Sequence, residues 1–329
     1  MALRLIEMVL KEKESDEVQN ILKENKILQY RGIHLVNEEV LVRILLDSEK
    51  NEKVLNILEE RYSKNEENRA IILPVEATLP RLDPNLEEKK DEAERISREE
   101  LYEDIKEAAR CSKVYLSMIV LSTVVATVGL YDNNTVVIIG AMVIAPLIGP
   151  SIALSLATTL GDLPLLRKSS LTGLAGIGIT IALSSLIGSI IHLDITSVEV
   201  ASRIRVNLGD AAIALMSGCA GALAFTKGMS AILIGVMVAV SLLPPLVTCG
   251  MLLGSGQIGG AVGALSLFFM NMICINLSGV VTFLAQGIHP ASIQEEKRAK
   301  KAKFIAISLW ALLLLTLGCL IFIFKKDWF

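Results

Sequence analysis

The sequence predicts a polytopic α-helical membrane domain preceded by a small α+β domain, and three observations lead to that class. The chain has 329 residues, 52% of them hydrophobic and 20% charged, and the charges are concentrated in the first hundred or so residues and in one short run near the C-terminus. Several later apolar stretches approach or exceed the roughly 20 residues that a helix needs to cross a bilayer. One proline-bearing apolar motif also occurs twice, at 140–150 and at 235–245. We therefore expect a soluble domain joined to a membrane domain.

Residues 1–83 have the pattern of a small α+β domain. Apolar runs typical of strands alternate with segments whose apolar residues recur at helical spacing. The predicted strands are 3–10, 27–35, 40–46 and 70–75, and the predicted helices are 14–26 and 50–62. This β-α-β-β-α-β order is that of ferredoxin-like domains. We expect a cytoplasmic domain with a regulatory or assembly role, by analogy of fold alone.

A charged helical connector is predicted at 84–112. Three prolines between residues 74 and 84 precede it, and each discourages helix around it. Ser97 and Glu100 have the spacing of a capping box, which favours a helix start near residue 97. The sparse apolar side of this segment suits the membrane surface or a neighbouring subunit, and a solvated linker helix is an equal alternative.

Seven candidate spans follow within the predicted transmembrane domain, 113–329. They are 114–130, 136–160, 171–191, 211–225, 231–253, 261–285 and 304–324. Basic residues in short loops mark the cytoplasmic side of a membrane protein. With the N-terminus inside, the inner segments carry Arg167, Lys168, Lys227 and five basic residues at 297–303, whereas the outer ones carry only Arg203 and Arg205. We therefore expect a multi-pass protein of the cytoplasmic (inner) membrane with its N-terminus in the cytoplasm and its C-terminus outside.

The duplicated motif predicts an internal repeat. Residues 140–150 read Gly-Ala-Met-Val-Ile-Ala-Pro-Leu-Ile-Gly-Pro, and at an offset of 95 (235 minus 140) they align with Gly-Val-Met-Val-Ala-Val-Ser-Leu-Leu-Pro-Pro. Repeat one is 113–192 and repeat two is 208–287, with an extra span at 303–324. Because each repeat has three spans, the second is inverted in the membrane, which is the plan of many secondary transporters.

The prolines of the two motifs predict broken helices and a candidate site between them. A proline leaves the carbonyl one turn earlier without an amide partner, and such a carbonyl must be satisfied by protein, water or a ligand in hydrocarbon. The alternative is a simple kink satisfied by a neighbouring helix. Neutral polar side chains of the sixth span complete the candidate substrate- or ion-binding set. That set is Gly140, Met142, Pro146, Gly149, Pro150, Gly235, Ser241, Pro244, Pro245, Asn271 and Asn276.

Several function classes are disfavoured by what the sequence contains. No Asp, Glu, Lys or Arg lies well inside a predicted span, which argues against a proton relay through intramembrane carboxylates. The five cysteines have no Cys-x-x-Cys spacing, so neither a metal site nor a disulfide framework is expected. No catalytic constellation and no basic patch with interleaved aromatics is evident, so we expect no enzyme activity, no cofactor and no nucleic-acid partner.

Some of these residues also carry a resemblance to a known family. The run Ile-Ser-Arg-Glu-Glu-Leu-Tyr at 96–102, the motif at 140–150, and Leu-Leu-Pro-Pro at 242–245 with Asn271 resemble prokaryotic membrane proteins known as domain of unknown function 389. The resemblance covers about residues 85–287. It implies a bacterial or archaeal inner-membrane protein and names no substrate.

Together these features predict a membrane transporter or channel for a small solute or ion, with the site between the broken helices. The alternative is a membrane-anchored sensor or scaffold whose N-terminal domain binds a ligand or partner. The lipid bilayer is the expected environment, and a homo-oligomer is the default expectation for such domains.

Overall fold

The computed structural model describes residues 3–12, 14–15, 18, 27–35, 39–47, 54, 58, 70–75, 96–191, 193–229 and 241–288. The chain divides into two units. The first comprises Met1–Leu101 with Thr226–Gly228, and the second Tyr102–Phe225 with Met229–Phe329. Each unit has its own architecture.

The first unit contains a four-stranded sheet. Its strands are β1 (Leu3–Lys11), β2 (Gln29–His34), β3 (Glu39–Asp47) and β4 (Ala70–Val75). They lie in the order β2-β3-β1-β4, and every neighbouring pair is antiparallel. The predicted small N-terminal sheet is therefore confirmed, with strand bounds within a few residues of those predicted.

The core of this unit lies on one face of the sheet. Alternate residues of the two central strands are buried there, because successive side chains of a strand point to opposite faces. Helical residues at three described positions of the predicted helices 14–26 and 50–62 join this core, and the remainder of those helices lies largely outside the described residues. The buried cluster comprises Ile6, Met8, Leu10, Val40, Val42, Ile44 and Leu46 from the strands with Val18, Val54 and Leu58.

Helix α1 (Arg98–Ala108) begins where the capping pattern predicts. The Ser97 hydroxyl accepts a hydrogen bond from the Glu100 amide at 3.2 Å, which satisfies one amide of the first helical turn. The Glu100 carboxylate binds the buried Arg4 guanidinium, with Nε–Oε2 at 2.9 Å. Leu101, Ile105 and Ala109 form one buried stripe at helical spacing. The sparse apolar side of the connector is thus buried within the protein.

The second unit is helical. Its helices are α2 (Lys113–Tyr131), α3 (Thr135–Ile144), α4 (Ile148–Leu160), α5 (Leu163–Ile190), α6 (Val198–Ile204), α7 (Leu208–Thr226), α8 (Leu243–Gly254) and α9 (Ile258–Ala285). Four of these described helices are long and apolar enough to cross a membrane, or five if the bent pair α3 and α4 forms one span. Of the seven predicted spans, the fifth is described only from residue 241, and the seventh lies outside the described residues.

Helix α5 begins earlier than the apolar pattern predicts. That pattern places the third span at 171–191, but the Asp162 carboxylate accepts a hydrogen bond from the Leu165 amide at 3.0 Å and caps a helix that starts at Leu163. Pro164 suits this first turn, where no amide donor is needed. Arg167 and Lys168 are consequently helical and do not lie in a loop.

The buried side of α5 consists mainly of small residues. Large side chains such as Leu171 and Leu174 are exposed, whereas a stripe of small side chains at helical spacing faces the other helices. Small buried residues let membrane helices approach closely and bond across the contact. The stripe comprises Ser169, Thr172, Gly176, Thr180, Ser184 and Gly188.

Candidate functional site

The first break follows from Pro146. Helix α3 ends at Ile144, α4 begins at Ile148, and the two axes are bent by 53°. Ala145 has the extended conformation that a residue before proline prefers, with φ −71° and ψ 118°. The break is therefore a local consequence of the proline, at the position where the sequence predicts it.

The other predicted residues of the first motif have different surroundings. Gly140 is exposed, with nothing within 4 Å of where a Cβ would lie. Met142 is 4% exposed. Gly149 packs so closely on the Ala108 carbonyl that a Cβ there would overlap it, and Pro150 lies beside Gly173. The structure thus assigns Gly149 and Pro150 to helix packing and leaves Gly140 on the surface.

Two of the predicted site residues meet at the second proline motif. The Asn271 Nδ2 on α9 donates a hydrogen bond to the Ser241 carbonyl at 2.7 Å, and both residues are buried. Pro244 and Pro245 lie in the first turn of α8, where a missing amide leaves no helical bond unmade. The Ser241 carbonyl, four residues before Pro245, is therefore satisfied by a side-chain amide. Gly235 lies outside the described residues.

Asn276 serves a different contact from Asn271. Its Nδ2 donates to the Met272 carbonyl at 2.8 Å, and the Ser155 hydroxyl on α4 donates to its backbone carbonyl at 3.2 Å. The two asparagines thus point to different partners, as their five-residue spacing on a helix implies. Asn276 joins α9 to the helix that follows the first break.

Two buried side-chain oxygen atoms on α9 and α8 have no hydrogen-bond partner within the described part of the chain. They are Asn271 Oδ1 and Thr248 Oγ1, in residues that are 4% and 0% exposed. The orientation of the Asn271 amide is set by the bond from its Nδ2 to Ser241. Leaving a buried polar atom unpaired costs about 1–3 kcal/mol. Thr248 is not among the residues that the sequence predicts for the site.

A polar cluster at the C-terminal end of α2 is not predicted by the sequence motifs. The buried Glu199 carboxylate accepts a hydrogen bond from the Thr135 hydroxyl at 2.5 Å and pairs with Arg203 at 2.5 Å. The Asn133 side chain accepts a hydrogen bond from the Glu199 amide at 3.0 Å. The cluster ties α6 to the turn between α2 and α3. Its only local signal in the sequence is the four-residue spacing of Glu199 and Arg203.

A second contact outside the predicted motifs joins α1 to the start of α5. The Tyr102 hydroxyl donates to the Asp162 carboxylate at 2.7 Å. Burial, and after it the bond to Asp162, raises the pKa of Tyr102 from 10.0 to about 12. The phenol is therefore a neutral donor at all physiological pH values.

Among the described residues, no group of three or more His, Cys, Asp and Glu side chains is arranged to hold a metal ion.

These features define a helical protein whose long apolar helices suit a membrane, with a helix pair bent at a proline and a small antiparallel sheet. The chain belongs to the family described as domain of unknown function 389, whose model matches residues 142–277. It is also similar to an uncharacterized protein of Methanocaldococcus jannaschii, with 38% identity over 280 residues, which cover 85% of this chain and 87% of that protein. No solved structure matches the chain.

Proposed function

We propose that the protein is a membrane transporter or channel for a small solute or ion, built from two inverted repeats. The candidate site lies between the proline-broken helices, and the N-terminal domain has a regulatory or assembly role. The observation that carries this proposal is that two groups of three spans are equivalent at one constant offset. The first triplet is α2, the pair α3 and α4, and α5, and the second is α7, the span that contains α8, and α9. Each triplet has a proline-bearing motif in its middle span. Paired broken helices in inverted repeats are the sequence feature that best indicates a transporter site.

The helix bounds support the repeat. Helices α2 and α7 both have 19 residues, and each bound of α7 lies 95 residues after that of α2 (208 minus 113, 226 minus 131). Helices α5 and α9 both have 28 residues and the same displacement (258 minus 163, 285 minus 190). Helix α8 likewise begins 95 residues after α4 (243 minus 148). A duplicated three-span unit accounts for all three pairs.

The turns between these helices support the same equivalence. Asn133 and Gly228, 95 residues apart, have positive φ angles of 50° and 65°. Gly161 and Gly256, with the same separation, have φ angles of 73° and 77°. Such angles are common just after a helix, and their occurrence at two matched pairs of positions agrees with a shared backbone path.

Contacts within each triplet are also equivalent. In the first, the Thr123 hydroxyl on α2 lies 3.4 Å from the Thr180 hydroxyl on α5. In the second, Gly218 on α7 packs on the backbone of Ile275 on α9, so closely that a Cβ would overlap it. Positions 218 and 275 lie 95 residues after 123 and 180. The first and third spans therefore meet at the same point in both triplets.

Contacts between the triplets are reciprocal. A Cβ on Gly279 of α9 would lie 2.7 Å from the Ser155 hydroxyl of α4, and one on Gly250 of α8 would overlap the Ser184 hydroxyl of α5. Gly250 lies 95 residues after Ser155, and Gly279 lies 95 residues after Ser184. A two-fold axis between the triplets would therefore exchange the crossing of α4 and α9 with the crossing of α5 and α8. Since each triplet has three spans, that axis lies in the membrane plane, as inverted repeats require.

The remaining parts of the architecture belong to the same proposal. We place the fifth span at 231–253 and the seventh at 304–324, the N-terminus in the cytoplasm of a cell with an inner membrane, and the C-terminus outside. We infer a ferredoxin-like N-terminal domain from the sheet order β4-β1-β3-β2, since that fold is built from a split β-α-β arrangement. A symmetric homo-oligomer is the expected assembly.

Reconstitution tests the function. Purified protein in liposomes should carry at least one of K⁺, Na⁺, Cl⁻ or a small neutral solute above the rate of empty liposomes. Asn271→Leu should abolish that flux because it removes the amide at the second break, whereas Ser241→Ala should retain it because Ser241 contributes its backbone carbonyl. Equal flux through wild type and Asn271→Leu would contradict the site. No flux for any probe, with a metabolite bound by the full chain, would favour the sensor alternative.

A further inference from the structure

Three basic residues lie at one end of the neighbouring helices α2 and α5. Lys113 is the first residue of α2, and Arg167 and Lys168 lie near the start of α5. All three are exposed, and no described residue forms an ion pair or hydrogen bond with their charged groups. They constitute the basic end of the α2–α5 pair.

The contacts between α2 and α5 show where these three residues lie relative to one another along the helix axes. Tyr115 donates to the Thr172 carbonyl and Thr123 to the Thr180 hydroxyl, and both contacts join residues 57 positions apart. The helices are therefore parallel and in constant register. Lys113 is level with residue 170, so Lys168 and Arg167 lie within about 3 and 4.5 Å of it along the axis, at about 1.5 Å per residue.

An exposed apolar surface adjoins the basic end. Val114, Leu171 and Leu174 on the same two helices are 67%, 58% and 63% exposed. Side chains of this kind suit acyl chains, while long Lys and Arg side chains reach from helix ends to the headgroup layer. Asp162, the N-cap of α5, accepts hydrogen bonds from the Tyr102 hydroxyl and the Leu165 amide and forms no ion pair with these cations in the described residues. Its one negative charge offsets one of the three positive charges, so this end keeps a net positive charge.

The equivalence between the triplets shows that these cations are not needed to form the helices. The positions 95 residues after Lys113, Arg167 and Lys168 are Leu208, Val262 and Gly263. The same helix starts thus form in α7 and α9 without a basic residue. The three equivalent positions on α7 and α9 therefore carry no positive charge.

We propose that the basic end of α2 and α5 binds the headgroup of an anionic phospholipid whose acyl chains lie on the exposed apolar surface of the two helices. Charge complementarity selects this occupant, since basic positions between membrane helices at a headgroup layer attract anionic lipids. Lipid binding at this end does not depend on transport.

Native mass spectrometry of the purified full chain provides the test, with phosphatidylglycerol and phosphatidylcholine of identical acyl chains as probes. Wild type should retain phosphatidylglycerol in preference to phosphatidylcholine. Arg167→Gln with Lys168→Gln should reduce that preference about 25-fold, at about fivefold for each charge near the membrane surface. Lys11→Gln with Arg31→Gln removes the same charge from exposed strand positions and should leave the preference unchanged.

Two further measurements distinguish lipid binding from misfolding and from the binding of a free phosphate ion. Arg167→Lys keeps the charge and should keep the preference, so a loss confined to the double glutamine variant reflects lost charge and not lost folding. Millimolar inorganic phosphate should not displace the lipid, because phosphate lacks the acyl chains. Equal retention of phosphatidylglycerol by wild type and the double variant, or displacement by phosphate, would overturn the proposal.

Discussion

Ser184 on α5 lies directly against Gly250 on α8, and the glycine has no room for a side chain. The same pairing of serine with glycine occurs between Ser155 on α4 and Gly279 on α9, at positions that the 95-residue offset exchanges. The two crossings hold together the two triplets of helices. Their close approach rests on glycine at one side and a small hydroxyl side chain at the other, as is usual where membrane helices meet.

The first prediction concerns this crossing. Gly250→Ala should destabilise the protein by about 1–3 kcal/mol, because the new methyl group overlaps the Ser184 hydroxyl and approaches the Ile181 carbonyl. Gly279→Ala should act in the same direction at the equivalent crossing. Thermal unfolding in detergent measures both effects.

Matched variants make that test specific. Gly140→Ala places a methyl group in open space on an α-helix, so its effect should be within about 0.5 kcal/mol or slightly stabilising. Ser184→Gly combined with Gly250→Ala should be more stable than the sum of the two single effects, since the clash is removed. Additive effects would show that these residues do not meet.

The sequence is informative where one residue imposes its own local geometry. Pro146 predicts the break between α3 and α4, and the two motifs predict the 95-residue offset at which the helix bounds agree. The apolar pattern places the start of α5 too late because the first two turns contain Arg167 and Lys168, which interrupt that pattern. The Asp162 cap and Pro164 are the signals that correct it.

The partners of the candidate site residues could not be predicted from the sequence. Asn271 and Ser241 are both predicted site residues, but the bond between them joins positions 30 residues apart, one on α9 and the other in the turn before α8. Gly140 belongs to the same prediction and lies on the surface. Glu199 and Thr135 are absent from it, since 64 residues separate them and neither lies in a motif. Local chemistry identifies candidates, and helix packing decides which of them meet.

The second prediction concerns Tyr102 and Asp162. Tyr102→Phe should cost about 1 kcal/mol at pH 7, because it removes a partly exposed hydrogen bond to a carboxylate. The folded-state pKa of Tyr102, about 12, lies above its ordinary value of 10.0. The contribution of the phenol is therefore complete below pH 10 and is lost as the pH rises towards 12.

Unfolding of wild type and Tyr102→Phe between pH 7 and pH 11.5 measures this difference. The gap in stability should be constant to about pH 10 and then narrow. Asp162→Asn keeps an oxygen for the helix cap and should lower the pKa of Tyr102 by removing the negative charge. Equal stability of wild type and Tyr102→Phe at pH 7 would show that the hydrogen bond from Tyr102 to Asp162 does not stabilise the protein.

The third prediction concerns Glu199 and Arg203, whose side chains are 12% and 14% exposed. A double-mutant cycle with Glu199→Gln and Arg203→Met should give a coupling free energy of about 2 kcal/mol, because removal of one partner leaves the other charge in a poorly hydrated place. The exposed pair of Glu103 and Lys106, at 2.7 Å, is the control and should give less than about 0.5 kcal/mol. Equal coupling in the two pairs would contradict a structural role for the α6 cluster.

The fourth prediction concerns the Thr248 hydroxyl, which is buried on α8 without a partner in the described residues. Thr248→Val exchanges that hydroxyl for a methyl group and should stabilise the protein by about 1 kcal/mol, because an unpaired buried polar group is removed. Flux through reconstituted protein should fall at the same time, since a hydroxyl kept at a cost in stability is expected where a polar solute binds.

Thr282→Val is the control for this pair of measurements, because the Thr282 hydroxyl donates to the Ser278 carbonyl at 2.8 Å. It should not stabilise the protein and should leave flux unchanged. Higher stability with undiminished flux in Thr248→Val would mean that the hydroxyl has no part in transport. Lower stability in Thr248→Val would mean that the hydroxyl has a partner in the folded protein, and the candidate site would then rest on Asn271 alone.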